Sequence, residues 1–262
     1  MPELELLFLG SGTSAGVPMI GCDCAVCTSA DPRDKRTRAS VVVSYANPDP
    51  VRVLVDTTPE LRLQCVANHV MGIDAIVFTH AHADHIMGLD DVRRFNSIRG
   101  GPLDVFADER THALLTTCFG YAFQAPNPEA KVFRPHLVRR LIDGPFEIAG
   151  VAWRPVPIVH GEQAILGFRI GNVAYCTDVS HIPEESFPLL QDLDVLVLGA
   201  LGFRPHPTHF SIDQAVAASR RVRPRRTYIT HIAHQIGHAA ASEVLPPSVY
   251  LSHDGLRLTS GF

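Results

Sequence analysis

Apolar positions along the chain come in short runs separated by polar, turn-rich stretches. Residues 4–9 and 40–45 read as short strands, and 51–55 follows after the turn-rich Asn47-Pro48-Asp49-Pro50. Thr58-Pro59-Glu60 predicts a helix start, with Pro at the first helical position and Leu61, Cys65 and Val66 on one face. Residues 75–78 form a buried-type strand that runs straight into the polar cluster 79–85, after which 86–98 reads as a helix ending at Gly100-Gly101.

The second half repeats the rhythm. Residues 146–159 and 164–170 read as strands, with 173–176 and 195–198 as further buried ones. Ser211-Ile212-Asp213-Gln214 is a capping box, because a hydroxyl and an amide three residues apart satisfy each other's free backbone donors; it opens a helix to about Val222. Residues 227–229, then a closing pair of strands at 249–252 and 256–259 around Asp254-Gly255, finish the chain. Strands interleaved with helices predict an α/β fold with sheets covered by helices. No repeat or low-complexity tract divides the chain, so one domain over 1–262 is expected, with 101–140 as a lid or insertion.

Composition narrows the function classes. Hydrophobic residues are 46% and charged residues 19%, which excludes a disordered or fibrous chain. A formal charge of −4 argues against broad binding to nucleic acid or acidic membranes. No apolar stretch reaches a membrane span, and acids at Glu3 and Glu5 replace the basic start of a signal peptide, so a cytoplasmic protein with reduced thiols is expected. Histidine is the unusual count, 14 residues, many of them clustered.

The strongest chemical signal is Thr79-His80-Ala81-His82-Ala83-Asp84-His85, three imidazoles and a carboxylate directly after an apolar strand. These are nitrogen and oxygen donors suited to zinc or a similar divalent ion. His80 and His82, two apart on extended chain, can converge on one ion; Asp84 and His85, at the following turn, can point to a second.

This pattern resembles the metallo-β-lactamase-fold hydrolases, whose fold is an αββα sandwich of two mixed β-sheets flanked by helices. The resemblance implies further ligands at His160 in Val159-His160-Gly161, Asp178 at the end of Ala174-Tyr175-Cys176-Thr177-Asp178, and His231 at the end of Tyr228-Ile229-Thr230-His231. It implies His80, His82 and His160 on one ion, Asp84, His85 and His231 on the other, and Asp178 shared. Two zinc or manganese ions so held would acidify a bridging water and offset charge on a leaving group, with Asp84 also orienting that hydroxide.

Cys22, Cys24 and Cys27 place three thiols in six positions of the loop 21–27, too tight for ordinary core packing and suited to a thiolate-rich metal site. His234, three residues after His231, is the natural fourth ligand of a closed structural zinc. Cys65, Cys118 and Cys176 are isolated and expected to pack as small apolar residues.

The combination is similar to the PhnP-type phosphoribosyl cyclic phosphodiesterases, on Gly10-Ser11-Gly12-Thr13-Ser14-Ala15-Gly16-Val17-Pro18, the thiol motif, Thr230-His231-Ile232-Ala233-His234-Gln235 and Asp254-Gly255. That resemblance implies a small cyclic phosphodiester as substrate, His209 beside the metals as an aid to cleavage, and a homodimer. His206 lies near enough in sequence to share that work. The Gly-rich 10–16 lacks a P-loop lysine and is expected to let the chain pass near the metals. The basic run 220–226 reads as a solvated helix end, and Arg93, Arg94 and Arg99 as an exposed helix face. Two other readings share the motifs: a ribonuclease Z-like tRNA-processing enzyme, which needs a basic arm, and a PqqB-like carrier, whose relatives usually have a disrupted His-Asp motif.

Overall fold

The computed structural model describes residues 3–125 and 133–261. In chain order the first half is β1 (Glu3–Gly10), β2 (Ser40–Ala46), β3 (Pro50–Val55), α1 (Leu61–Ala67), β4 (Ala75–Val77), α2 (Ala83–Ile86), α3 (Arg93–Arg99), β5 (Leu103–Ala107), α4 (Glu109–Phe119) and β6 (Leu137–Leu141). The second half is β7 (Phe146–Ile148), β8 (Val151–His160), β9 (Gln163–Ile170), β10 (Val173–Cys176), β11 (Val195–Gly202), β12 (Phe210–Ser211), α5 (Ile212–Val222), β13 (Arg226–Thr230), α6 (His238–Val244), β14 (Val249–Leu251) and β15 (Arg257–Gly261).

Two mixed sheets result. One has the order β15-β1-β2-β3-β4-β5-β6; the other is β14-β13-β11-β10-β9-β8-β7, with β12 paired to β11. Side-chain alternation builds the layers. Along β1, Leu4, Leu6 and Phe8 join Trp153, Phe168 and Tyr175 in the core between the sheets. Leu7 and Leu9 face the other way, into a cluster with Leu61, Phe95 and Leu115 from the covering helices. The outer face of the second sheet buries Leu196 and Leu198 against Ile212, Ala215 and Val216 of α5. This is the αββα arrangement expected. The capping box at Ser211 is formed in full and opens α5 as read from the sequence.

Four expectations change. The helix over 86–98 begins earlier, at Ala83, and breaks into α2, a 3-10 turn at Leu89–Val92 and α3. The break falls at Gly88, whose amide donates to the Thr57 carbonyl at 2.9 Å and where a Cβ would overlap the Thr58 carbonyl oxygen. Residues 146–159 are a hairpin rather than one strand: Ala149 and Gly150 take φ of 48° and 75°, turning β7 back onto β8. The closing strands do not pair with each other. β14 adds to β13 and β15 to β1, in different sheets, because Asp254 is tied to Ser11 and Thr37 and Gly255 donates to the Phe8 carbonyl at 2.8 Å. On α1 the buried set is Leu61, Gln64 and Cys65, while Val66 is 65% exposed.

Within 101–140, β5 and β6 extend the first sheet and α4 covers it; 126–132 lie outside the described residues. None of the described helices is long and apolar enough to cross a membrane.

Candidate metal centre

Every ligand expected of the paired-ion centre arrives at one rim of the sandwich. β4 delivers 79–85, β8 ends on His160, β10 leads to Asp178, and β13 leads to His231. The rim is stapled across the two sheets by the Leu166 amide, which donates to the Thr79 carbonyl at 3.1 Å. Asp178 and His231 take left-handed φ of 56° and 58°, as does Asp56 at 65°. Non-glycine residues adopt that region at a cost of about 1–3 kcal/mol each and cluster at functional sites.

Two ligand sets form. His80, His82 and His160 bring one ring nitrogen each within 4.8 Å of one another, and the carboxylate oxygens of Asp84 and Asp178 gather with ring nitrogens of His85 and His231 within the same distance. Asp178 lies between the sets: His80 Nε2 is 3.9 Å from its carboxylate, His85 Nε2 3.4 Å and His231 Nε2 3.2 Å. Asp84 is 3.5 Å from His85 Nε2 and 3.6 Å from His231 Nε2.

The opposite ring nitrogens are held by the fold. His85 Nδ1 donates to Asp56 Oδ2 at 2.8 Å, His80 Nδ1 to Thr79 Oγ1 at 3.0 Å, and His160 Nδ1 to the Thr208 carbonyl at 2.6 Å. These bonds place the proton on Nδ1 and leave the Nε2 lone pairs facing the centre. There His80 Nε2, His85 Nε2 and His231 Nε2 are buried without a hydrogen-bond partner among the described residues. Buried lone pairs left unsatisfied in this number are costly, and divalent cations would satisfy them; the donor set fits zinc-type ions.

Electrostatics agree. Burial opposes ionisation of Asp84, but its contacts with His231 and His85 prevail and hold the carboxyl well below the usual carboxylate range. Asp178 behaves alike: burial raises it, and His231 and His85 pull it well below. Burial pushes His80 down, so its ring stays neutral. Burial opposes a charge on His85, but Asp178 and Asp56 prevail and hold it well above the ordinary histidine value, so a cation binding at its Nε2 would displace a proton.

Asp56 was not singled out in the sequence. It is fully buried, accepts from Thr79 N at 2.9 Å and Thr79 Oγ1 at 2.8 Å, and orients His85. Its signal was available: like the other site residues, it follows an apolar strand directly, in Val55-Asp56-Thr57.

His209 stands against the same centre. Its ring lies 4.5 Å from that of His160 and 4.7 Å from that of His231, and it forms a further ligand-like group with His160 and Asp178. Its Nδ1 is buried without a partner among the described residues, and burial lowers its pKa to about 3. His206 is exposed, 5.4 Å from His209 ring to ring, and accepts from the Thr208 amide at 3.3 Å. The Gly-rich loop passes beside His231 through Thr13 N to the Ile232 carbonyl at 3.2 Å and Ile232 N to the Ser11 carbonyl at 2.9 Å.

Cys22, Cys24, Cys27 and His234 converge as a separate set within 4.8 Å. His234 Nδ1 is 3.3 Å from Cys22 Sγ and 3.4 Å from Cys24 Sγ. The Cys27 amide donates to Cys24 Sγ and, with His234, lowers that thiol to about 6. Three thiols and an imidazole without disulfides make a closed set suited to tetrahedral zinc. Of the remaining cysteines, Cys65 and Cys176 are buried as expected, but Cys118 is exposed on α4.

Two mixed sheets between helices, with imidazole and carboxylate ligands gathered at one rim, define a hydrolase of the metallo-β-lactamase fold. The chain belongs to the beta-lactamase superfamily domain family, whose model matches residues 51–232. A crystal structure of a diphosphatase from the PhnP family superimposes with TM-score 0.91 at 43% identity, over 99% of this chain and 98% of that one. Zinc-bound PqqB from Methylobacterium extorquens shares the fold at TM-score 0.74 and 19% identity, over 97% of this chain and 99% of that one. An octanoyltransferase of Porphyromonas gingivalis is 34% identical over 257 residues, which are 97% of this chain and 51% of that protein. The chain thus spans about half the length of that curated relative.

Proposed function

We propose that this chain is a metal-dependent phosphodiesterase that opens a small cyclic phosphodiester of the phosphoribosyl type. One observation carries the reading: two ligand sets abut at Asp178, 3.9 Å from His80 Nε2 and 3.2 Å from His231 Nε2, and Nε2 atoms that are buried without a partner among the described residues turn inward. The 43% identity to a PhnP-family diphosphatase supports it. Two divalent ions of zinc or manganese type, when bound, supply an acidified water and offset negative charge on the phosphate. A third, structural zinc belongs with the thiol set.

The chain's own groups complete the chemistry. Asp84, kept ionised, accepts the proton released as the attacking water bonds to phosphorus and passes it to the departing ester oxygen. His209, kept neutral by burial, donates an N–H hydrogen bond to the phosphoryl or leaving oxygen rather than carrying charge.

The tRNA-processing reading finds less support. Within the basic run, Arg221 pairs with Glu184 and Arg226 with Asp194, so part of its charge is compensated. The test is metal analysis coupled to a panel of cyclic and linear phosphodiesters, diphosphates, lactones and thioesters. About three zinc-type ions per chain and turnover of a cyclic phosphodiester are expected. Fully metallated protein that hydrolyses only lactones or thioesters defeats the proposal.

A further inference from the structure

The two ligand sets meet on one short piece of chain. His231 belongs to the paired-ion centre and His234 to the thiol set, with only Ile232 and Ala233 between them. His231 also lacks a restraint that other ligands have. His80, His85 and His160 each have Nδ1 held by a hydrogen bond, whereas both ring nitrogens of His231 are buried without a partner among the described residues. With no such bond to aim the ring, its direction depends on the backbone of 231–234, which starts at a left-handed φ of 58°.

Arg36 grips that backbone. Among the described residues it is the one buried arginine, 1% exposed. Its Nη1 donates to the Ala233 carbonyl at 3.3 Å, its Nε to the Arg33 carbonyl at 3.1 Å and its Nη2 to Asp34 Oδ1 at 2.8 Å. The same Asp34 oxygen accepts from the His238 amide at 2.8 Å, at the start of α6. Through its main chain Arg36 exchanges two bonds with Val17, at 2.7 and 2.8 Å, on the loop that leads to Cys22. Lys35 beside it donates to the Cys27 carbonyl at 3.1 Å. Both flanks of the thiol loop are thus tied to the segment that carries His231 and His234. A buried ion pair adds little net stability, because desolvation offsets the attraction. What the guanidinium adds is geometry: its rigid fork holds three acceptors at once, which an ammonium on a flexible stem does not.

We propose that Arg36 is a positioning residue that couples the two ligand sets, so that an ion held by Cys22, Cys24, Cys27 and His234 fixes the 231–234 backbone and raises the metal affinity of the paired-ion centre through His231. This coupling rests on the reading of both sets as metal sites and goes beyond it, since the thiol set then acts on the centre as well as on the fold. It is reciprocal, and a closed zinc site stays occupied after a loss of the size expected below.

The test is a double-variant cycle on Cys24→Ser, which empties the thiol set, and Arg36→Lys, which keeps the charge and loses the fork. Affinity of the paired-ion centre is read by chelator competition well below each variant's Tm, and cobalt–thiolate absorption reports the thiol set separately; neither needs turnover. Each single variant should weaken the centre on the order of 10-fold, and the double variant should be no weaker than the weaker single one. Asp34→Asn, which removes the carboxylate that aims the guanidinium, should give a smaller loss of the same kind, and takes the place of Arg36→Lys in the cycle if that variant does not fold. Trp153→Ala, which loosens the core between the sheets, should leave the affinity unchanged. Wild-type affinity at the centre with the thiol set empty overturns the coupling, and so do losses that multiply in the double variant. A chain that holds no ion at the centre while its thiol set is filled overturns instead the metal reading of that centre.

Discussion

Replacing Asp56 with Asn isolates how much of the centre depends on the residue behind it. The change is nearly isosteric and fully buried, so packing is conserved. One amide oxygen can still accept from Thr79 N, but the other position becomes an NH2 facing His85 Nδ1, which donates to it at 2.8 Å in the wild type. Donor then meets donor. Relief requires His85 to move its proton to Nε2, which removes the lone pair turned toward Asp178, 3.4 Å away. Two routes give the same magnitude. Losing the carboxylate behind a ligating histidine typically costs 10–100-fold in metal affinity, about 1.4–2.8 kcal/mol. Leaving a buried polar group unsatisfied costs about 1–3 kcal/mol. The assay is chelator competition at neutral pH, read as ions retained per chain against free zinc. The thiol set, which does not touch Asp56, is the internal reference and should keep its ion in the variant. Tight binding of all ions by Asp56→Asn at the wild-type chelator midpoint would refute the orienting role.

Three further outcomes can be checked. Cys24→Ser should cost one zinc equivalent and lower Tm by on the order of 5 °C, because Cys24 Sγ receives the Cys27 amide and contacts His234; unchanged zinc content would remove the structural site. Trp153→Ala, at a fully buried indole whose Nε1 donates to Tyr45 Oη at 3.3 Å, should destabilise by about 3–5 kcal/mol in denaturant titration; a loss below about 1 kcal/mol would contradict the placement of the inter-sheet core. Burial, then Arg33, lowers His238 from 6.5 to about 4, so between those pH values the unfolded chain binds the extra proton and stability falls as pH falls. His238→Gln should flatten that decline by on the order of 1–2 kcal/mol, and parallel pH profiles of wild type and variant would count against it.

The sequence was legible where each ligand follows an apolar strand. His80 to His85, His160, Asp178 and His231 all sit at such strand ends, and the resemblance to the metallo-β-lactamase-fold hydrolases implied their grouping. Asp56 occupies the same kind of position yet escaped notice, because a single carboxylate lacks the histidine context that marks metal chemistry. Pairing beyond the hairpin was the weakest reading. Nothing local in Asp254-Gly255 tells that the aspartate bonds to Ser11 and Thr37 instead of closing a β-turn between paired strands. The break at Gly88 depends likewise on a carbonyl thirty residues earlier. The pattern of 137–141 is weak because β6 is the edge strand of the first sheet and mostly exposed.

The convergence itself follows from strand direction. In the second sheet β10, β11 and β13 are mutually parallel, and β8 runs antiparallel to β9, which runs antiparallel to β10. β8, β10 and β13 therefore point the same way, and the residues at their C-terminal ends share one rim. In the first sheet β3, β4 and β5 are parallel, which puts Asp56 and the 79–85 turn at a common edge. Ligands distant in sequence need only a strand of the right direction before them to meet. The left-handed turns at Asp56, Asp178 and His231 then bend each side chain off its strand and into the gap. Gly199 of β11 lets Asp178 come close, since a Cβ there would lie 2.5 Å from the Asp178 amide. Bulk at that position would push Asp178 away from His80, His85 and His231 at once, so the spacing of this carboxylate is set by a glycine that binds nothing itself.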